Sequence, residues 1–547
     1  MTGEKSSTNF VKGAAILGIA GLVSKLFGAI YRIPYQNITG DVGMHVYSSV
    51  YPLYTTLLIL ATAGFPIAIS KIVSERLAKG DVAGARKTFR VSSITLGILG
   101  LCFFLLLFFG APFIAAMIGD VNLTLPIKAV SWSLLLVPLV SIMRGYFQGQ
   151  QNMVPTGVSQ VVEQIVRVIF ILIASYWMMA AYSDPYLAGT GAVFAAFPGA
   201  VAAVLVLFYY WRKSSQSPAP DARATAVSSE PSIEALSNRE VLYRILTYAV
   251  PICLGALVLP LMPLVDTVTV LNMLTFSGFP TDSGIVLKGI YDRGQPLIQF
   301  GTFFATALSL SLVPAISEAV AQNQQRLVAH RTEVAIRLTV MLGLPASVGL
   351  ALLAEPVNVM VYSNNSGTQA LAIQAMTILF ATLSIATSGI LQGVGKVNLP
   401  ARHLLIGVGV KLIGNLLLIP LWNISGAALA TVLAYFVAML LNMAAVNRYT
   451  GAVLHVRQSL RKPLEAVIVM GILVWLAEVL FADVFSGLIH SDRLLQTAVA
   501  LGAVSTGGLA YGVMLLLNGG ITRDDMRFLP KGERIIQFLS RFGLLRK

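Results

Sequence analysis

Long apolar runs constrain this chain before anything else does. A helix needs about 20 consecutive apolar residues to cross a hydrocarbon core. About fourteen such runs follow one another here, near 10–33, 46–73, 91–118, 124–146, 156–182, 189–211, 241–276, 286–320, 333–361, 368–391, 400–421, 424–447, 463–482 and 494–518. Only 11% of the residues are charged and 56% are hydrophobic, against about 25% and 45–50% in soluble domains. Alternation of the strand type is absent, so helices rather than a barrel must satisfy the backbone in lipid. The expected fold is an all-α polytopic membrane protein. Its first run, Phe10 to Ile33, is longer than a signal-peptide core and meets no small-residue cleavage site, so it is expected to stay in the mature protein. Cys102 and Cys253 both fall inside apolar runs and read as small buried hydrophobes.

A net charge of +14 could point to nucleic acid, but the basic residues are placed as topology markers. Arg76, Lys79, Arg86, Lys87 and Arg90 share one joint, Arg212, Lys213, Arg223 and Arg239 another, and Arg448, Arg457, Arg461 and Lys462 a third. The joints between them carry almost none. By the positive-inside rule the rich joints are cytoplasmic, which puts both termini inside and makes the number of spans even. The tail from Arg523 to Lys547 mixes Phe528, Leu529, Ile535, Ile536, Phe538 and Leu539 with basic residues, the pattern of an amphipathic helix on an anionic leaflet.

The chain is also duplicated. YSSVYPL at 47–53 matches YDRGQPL at 291–297, AIS at 68–70 recurs at 315–317, and QGQQNMVP from 148 answers QGVGKVNLP from 392, at an offset of about 244 that also relates Arg167 to Lys411. Each copy holds about six spans, so both keep one orientation, related by an axis along the membrane normal, with the substrate expected at the seam of the lobes. The domains expected are an N-terminal lobe over 1–213, a Ser/Pro/Ala-rich cytoplasmic linker over 214–240, a C-terminal lobe over 241–447, two further spans within 448–519 beside which a lipid tail could lie, and a cytoplasmic tail over 520–547.

An ionisable residue at membrane depth costs about 2.5–3.5 kcal/mol on insertion scales, so each one needs a reason. Lys71, Arg144 and Arg32 lie near span ends and can snorkel. Lys25 sits mid-span in GLVSKLFGAIYR, between Gly21, Ser24 and Gly28, which admit a close neighbour or a ligand. Glu163 and Arg167 stand four apart in QVVEQIVRV and either clamp one helix face or meet substrate. Lys411 has no acid within a turn. Asp292 and Arg293 precede Gly294 and Pro296; loosened backbone is tolerated there only against protein or water, so the segment either walls a cavity or braces two helices. Asp266 either forms a proton or sodium site with Asn415 and Thr431 or serves as counter-ion to Lys411 or Lys25. Cations in excess of acids favour an anionic substrate, and guanidinium or ammonium groups suit phosphate oxygens.

SKLFGAIYR, YDRGQP, the duplicated six-span lobes and the extra pair of spans together resemble the multidrug/oligosaccharidyl-lipid/polysaccharide exporter superfamily. Within it the chain is most similar to the SpoVB/YtgP group of polysaccharide-biosynthesis membrane proteins, relatives of MurJ-like lipid II flippases. The resemblance implies a MATE/MurJ-like fold and assigns pyrophosphate handling to Lys25 within Ser24–Lys25 and to Arg293 within Asp292–Arg293. The chain departs from that pattern with Lys25 where arginine is usual, Arg32 as its next cation, and Thr55 and Thr56 after the proline of span two. The substrate-binding residues expected are Lys25, Arg293, Ser24, Asp292, Arg32, Lys411, Glu163 and Arg167, with Asp266, Asn415 and Thr431 as the ion site.

The expected function is that of a flippase carrying an undecaprenyl-pyrophosphate-linked sugar, lipid II first, across the bacterial cytoplasmic membrane by alternating access. It needs no covalent chemistry and no cofactor; Na+, H+ or the membrane potential would drive it, and membrane lipids and cell-wall synthesis proteins are its expected partners. A sporulation-specific wall-polysaccharide exporter is an alternative within the same group. A cation-coupled drug exporter would carry acids rather than bases at the seam, a membrane polymerase or ligase would carry large outer loops with catalytic carboxylates or histidines, and a scaffold for wall-synthesis proteins is compatible with the sequence.

Overall fold

The structure is a computed structural model that describes residues 17–216 apart from 19, 22 and 25, then 237–452 and 456–520. It is 90% helix without strands among the described residues. Ten helices there are long and apolar enough to cross a membrane, eleven if a pair bent by 53° counts as one span. The expected fourteen is not reached on this measure: the first run begins outside the described residues, and two 53-residue stretches, Leu26–Ala78 and Asn398–Thr450, each pass as one span although both are broken. The chain is a multi-pass membrane protein.

The first helices are α1 (Arg32–Thr62), α2 (Phe65–Ala78), α3 (Val82–Ile118), α4 (Thr124–Ser131), α5 (Ser133–Gly149), α6 (Val154–Tyr182), α7 (Pro185–Phe194), α8 (Ala196–Gln216), α9 (Asn238–Ala256) and α10 (Val258–Phe276). They are followed by α11 (Thr281–Asp292), α12 (Gly294–Ala321), α13 (Gln325–Leu352), α14 (Ala354–Tyr362), α15 (Thr368–Gly393), α16 (Asn398–Thr450), α17 (Val456–Ser486) and α18 (Asp492–Leu517). Their ends follow local chemistry. Asp81 caps α3 by accepting the Gly84 N–H at 2.6 Å, and Asp184 caps α7 by accepting the N–H groups of Tyr186 and Leu187 ahead of a first-position proline. Gly40, at φ +68°, breaks α1. In α16 the break falls at Trp422 and Asn423, the joint expected between spans 400–421 and 424–447. There a Cβ on Gly426 would overlap the Leu418 carbonyl, and one on Gly414 would lie 2.8 Å from the Ala430 methyl, so the two halves of α16 fold back on each other.

By contacts the chain divides into two compact units, Met1–Asn272 with Pro280–Gly289 and Met273–Phe279 with Ile290–Lys547; the boundaries fall inside α10, after it, and inside α11. In the first unit Tyr35, Tyr47, Tyr54, Leu107, Ile127 and Ile171 make one apolar core, and Phe65, Ile69, Ile142, Ile245 and Cys253 another. In the second, Leu312, Ile316, Ile336, Leu391 and Val446 pack together. The surface is apolar as well. Phe109 and Phe113 of α3 are 72% and 75% exposed, and only 22% of the apolar window of α3 is buried against 67% for α15. Lipid covers such a face where water could not. Cys102 belongs to it, exposed rather than buried as expected, whereas Cys253 is buried and accepts the Gly64 N–H at 3.2 Å.

Side-chain packing repeats with the sequence. In the first unit, Gly145 and Gly149 of α5 receive α2: a Cβ on Gly145 would stand 2.8 Å from Pro66 Cα, and one on Gly149 2.8 Å from Val73 Cβ. In the second unit, Gly389 and Gly393 of α15, each 244 positions later, receive α12: the same atom on Gly389 would overlap Ser309 Oγ, and on Gly393 would stand 2.9 Å from Ile316 Cβ. Absent side chains at the two positions let one backbone lie close against another helix, the small-residue device of membrane packing. The two terminal helices α17 and α18 pair with each other and attach within the second unit, where the Tyr511 hydroxyl donates to the Met341 carbonyl at 2.8 Å and Arg493 Nε to that of Met360 at 3.1 Å.

Candidate functional site

In the first unit, α5 and α6 bring three charged groups together. Arg144 donates to Glu163 Oε2 at 2.9 Å and to Ser159 Oγ at 3.0 Å, while Arg167 donates to Glu163 Oε1 at 2.7 Å. The i,i+4 pair read from the sequence therefore forms. Arg144, expected to snorkel, is paired with the second oxygen of Glu163. Two guanidiniums on one carboxylate leave a positive surplus.

That surplus faces tyrosines. Tyr47 and Tyr51 of α1 stack with centroids 5.1 Å apart, and the Arg32 guanidinium lies 5.7 Å from the first ring and 5.9 Å from the second, within cation–π range. The Tyr31 and Tyr47 hydroxyls bond to each other. Arg167 is in electrostatic reach of Tyr54, Tyr51 and Tyr47. Among the described residues, no acceptor meets the buried Nε of Arg32 or of Arg167, and the hydroxyls of Tyr54 and Ser24 are likewise unpartnered. A buried polar atom without a partner costs about 1–3 kcal/mol, so these four groups suit water or an oxyanion. Lys25, the neighbour of Ser24, lies outside the described residues. Lys71 is exposed, its ammonium 3.9 Å from the Tyr248 ring centre.

In the second unit the site turns on the break between α11 and α12. Arg293 alone separates the two helices and keeps φ −66° and ψ −16°, and side chains from other helices reach the carbonyls beside it. Gln374 Nε2 donates to the Tyr291 carbonyl at 3.3 Å, and the Tyr362 hydroxyl donates to the Arg293 carbonyl at 2.6 Å. Gly294 makes room for this, since a Cβ there would overlap Gln374 Oε1. Pro296 sits in the first turn of α12, where a missing N–H costs nothing. The Arg293 guanidinium, 2% exposed, donates to Asn364 Oδ1 at 2.8 Å and to the Ser366 carbonyl, with Tyr362 beneath it at 5.0 Å. The apparent defects of YDRGQP thus form a protein-satisfied joint, with Asp292 buried beside it.

The remaining expected residues are buried. Lys411 and Asn415 lie one turn apart on α16, and Thr431, on the same element, bonds to the Tyr291 hydroxyl at 2.9 Å. Asp266 belongs to the first unit, Asn415 and Thr431 to the second. No group of three or more His, Cys, Asp or Glu suited to a metal occurs among the described residues.

A further cluster escaped the sequence reading. His45 Nε2 lies 3.1 Å from Asp120 Oδ2, which also accepts the Tyr186 hydroxyl at 2.8 Å; Ser49 Oγ lies 3.4 Å from His45 Nδ1, and buried Lys288 acts electrostatically on the ring. Burial works to raise the Asp120 carboxyl, but hydrogen bonds from His45 and Tyr186, the His45 charge and the Asn122 N–H together hold it below the ordinary value of 3.8. His45 and Asp120 are 75 residues apart, too far for a spacing motif.

Comparison with known proteins fits this architecture. The family model described as polysaccharide biosynthesis protein matches residues 10–320, and the MatE model matches 289–417. The uncharacterized membrane protein YabM of Bacillus subtilis is 33% identical over 97% of this chain and 96% of its own length. The lipid II flippase MurJ of the same organism is 32% identical over 92% and 94%, and its stage V sporulation protein B 26% identical over 96% and 99%. Among solved structures, a lipid II flippase MurJ in an inward closed conformation superposes with a TM-score of 0.65 at 13% identity, over 91% of this chain and 98% of that one. An inward-facing MATE-family multidrug resistance transporter reaches 0.63 at 14% identity, over 80% and 98%.

Proposed function

The chain belongs to the polysaccharide biosynthesis protein family, a flippase and exporter family of the multidrug/oligosaccharidyl-lipid/polysaccharide superfamily, and from that premise we propose that it translocates a polyprenyl-pyrophosphate-linked sugar, lipid II first, across the bacterial cytoplasmic membrane by alternating access. The observation that carries the reading is the arginine surplus of the first unit, where Arg144 and Arg167 share Glu163 while the Nε groups of Arg32 and Arg167 lack acceptors among the described residues. Fixed, desolvated guanidiniums suit the oxygens of a pyrophosphate, and a tyrosine stack beside them suits a sugar ring. Lys25 and Ser24 are proposed as further substrate contacts; within the second unit, Arg293 and Asp292 would orient the joint and Lys411 is proposed as a cationic contact. A part in ion coupling is proposed for Asp266 of the first unit and, separately, for Asn415 and Thr431 of the second. Both termini are proposed to be cytoplasmic.

A second reading, export of a wall polysaccharide during sporulation, draws support from the near-full-length likeness to stage V sporulation protein B. Leaflet-resolved transport in vesicles separates the readings. Purified protein is offered lipid II, an undecaprenyl-pyrophosphate lipid with another glycan, and a sugar lipid without pyrophosphate. Movement of the first two only, lost in Arg32→Gln at unchanged protein level, is the expected result. Equal movement of the lipid without pyrophosphate would defeat the anion reading, and movement of the second lipid alone would shift the assignment to the other polysaccharide.

A further inference from the structure

α14 is only 9 residues long, and the last carbonyls of a helix find no partner within it. Two of them, on Met360 and Val361, accept from Arg493 at the start of α18, from Nε at 3.1 Å and from Nη2 at 3.3 Å. A planar guanidinium reaches two carbonyls at once, and a cation at this end complements the helix dipole. Tyr362 follows as the last residue of α14. Its hydroxyl meets the Arg293 carbonyl, its ring lies under the Arg293 guanidinium, and its own carbonyl accepts from Asn364 Nδ2 at 3.2 Å.

The turn after α14 is tied to the same joint. Asn364 Oδ1 and the Ser366 carbonyl accept from Arg293, Asn358 Nδ2 also donates to the Ser366 carbonyl at 2.8 Å, and a Cβ on Gly367, at φ +70°, would overlap Ile290 of α11. The end of α14 and its turn therefore lie between two arginines, Arg293 from the joint and the exposed Arg493 from α18, all within the second unit. The first repeat has no such bracket. At the positions 244 earlier, Ser49 and Ile118 stand where the second repeat has Arg293 and Tyr362. The backbone there is alike, since Gly119 and Ser363 both take the left-handed form, at φ +93° and +62°. Isoleucine, however, offers no hydroxyl to a carbonyl and serine no guanidinium to a turn. At these positions the tyrosine–arginine contact occurs only in the repeat to which α17 and α18 attach.

We propose that Arg493 is a positioning residue: by holding the last turn of α14 it sets the Tyr362 hydroxyl on the Arg293 carbonyl, and so couples the α17–α18 pair to the joint between α11 and α12. Water can satisfy the Met360 and Val361 carbonyls in place of Arg493, but it fixes no direction for the last turn. Displacement of α18 carries Arg493 with it, the turn follows, and Arg293 loses the ring beneath it. The linkage stands whatever the substrate is; its bearing on transport rests on the proposed function.

The Arg293 carbonyl reports on this directly, in lipid vesicles and without substrate. Carbon-13 on arginine carbonyls and nitrogen-15 on glycine select the two Arg–Gly peptides of the chain, Arg144–Gly145 and Arg293–Gly294, and the second is identified by its loss in Arg293→Lys. Tyr362→Phe should shift that carbonyl signal, and Arg493→Met should shift it in the same direction. Arg493→Lys, which keeps the charge but not the fork, should do likewise and serves if Arg493→Met yields no folded protein. Tyr511→Phe removes a different bond of α18, to the Met341 carbonyl, and should leave the signal in place. A wild-type signal in the folded Arg493 variants, or an equal shift in Tyr511→Phe, would overturn the proposal. With a lipid that the wild type moves, Arg493→Met should slow transport by about 2- to 30-fold, the range for residues that act through a network. Added to Tyr362→Phe it should slow transport no further, and additive losses would place Arg493 outside the joint. A wild type that moves none of the lipids would defeat the proposed function, with the carbonyl signal still deciding the linkage.

Discussion

Replacing Glu163 by glutamine tests the charge arrangement of the first unit. The wild-type carboxylate receives two N–H bonds, at 2.9 Å from Arg144 and 2.7 Å from Arg167. Glutamine keeps one acceptor oxygen of similar shape but loses the charge and turns an amide N–H2 toward a guanidinium. The three side chains are 18%, 19% and 9% exposed, so solvent screens the pair less than at a surface. Breaking a buried ion pair by removing one partner costs about 3–5 kcal/mol, and two cations lose their shared anion here, so Glu163→Gln should destabilise the protein by about that amount. Arg144→Met leaves a one-to-one pair and should cost only about 1.5–3 kcal/mol, the worth of one charge-assisted bond. In the double variant Arg144→Met/Glu163→Gln a single cation remains unpaired, so the loss should fall short of the sum of the two singles by about 0.5–3 kcal/mol. Reversible unfolding in mixed detergent micelles measures all three. A loss below about 1 kcal/mol for Glu163→Gln, the level of an exposed pair, or strict additivity in the double variant, would refute the triad.

Three other outcomes follow from the packing and the titrating groups. Gly294→Ala should displace Gln374 from the Tyr291 carbonyl and cost about 1–3 kcal/mol, with Gln374→Ala costing a similar amount and the double variant no more than either; additive losses in the same micelle assay would contradict the joint. The two repeats should differ in tolerance: Gly145→Ala meets the Pro66 backbone and should cost about 1–3 kcal/mol, whereas Gly389→Ala meets the Ser309 hydroxyl, which can rotate away, and should cost less; equal unfolding midpoints would argue against this packing. Because Asp120 titrates below 3.8 in the folded protein, its contribution to stability is complete above that value and is lost as pH falls through the lower folded value; Asp120→Asn should flatten the acid limb of the thermal midpoint below about pH 4, and an unchanged limb would remove Asp120 from it.

What the sequence determined by itself is whatever depends on neighbours along the chain. Apolar runs dictate helices in lipid because unpaired backbone groups are too costly there. At the repeat offset of 244, Gly145 and Gly389 occupy equivalent packing positions, and the polar joint at Trp422–Asn423 is where α16 breaks. Glu163 and Arg167 met because four residues make one helical turn. Partner choice across helices was not legible. Arg144 turned to Glu163, the Arg293 guanidinium found Asn364 and Ser366 some 70 positions away, and His45 found Asp120. The reason is physical: a membrane helix is apolar all round, so its periodicity does not say which face turns inward. Only the rotation and packing of each helix against the others decide which buried polar side chains meet.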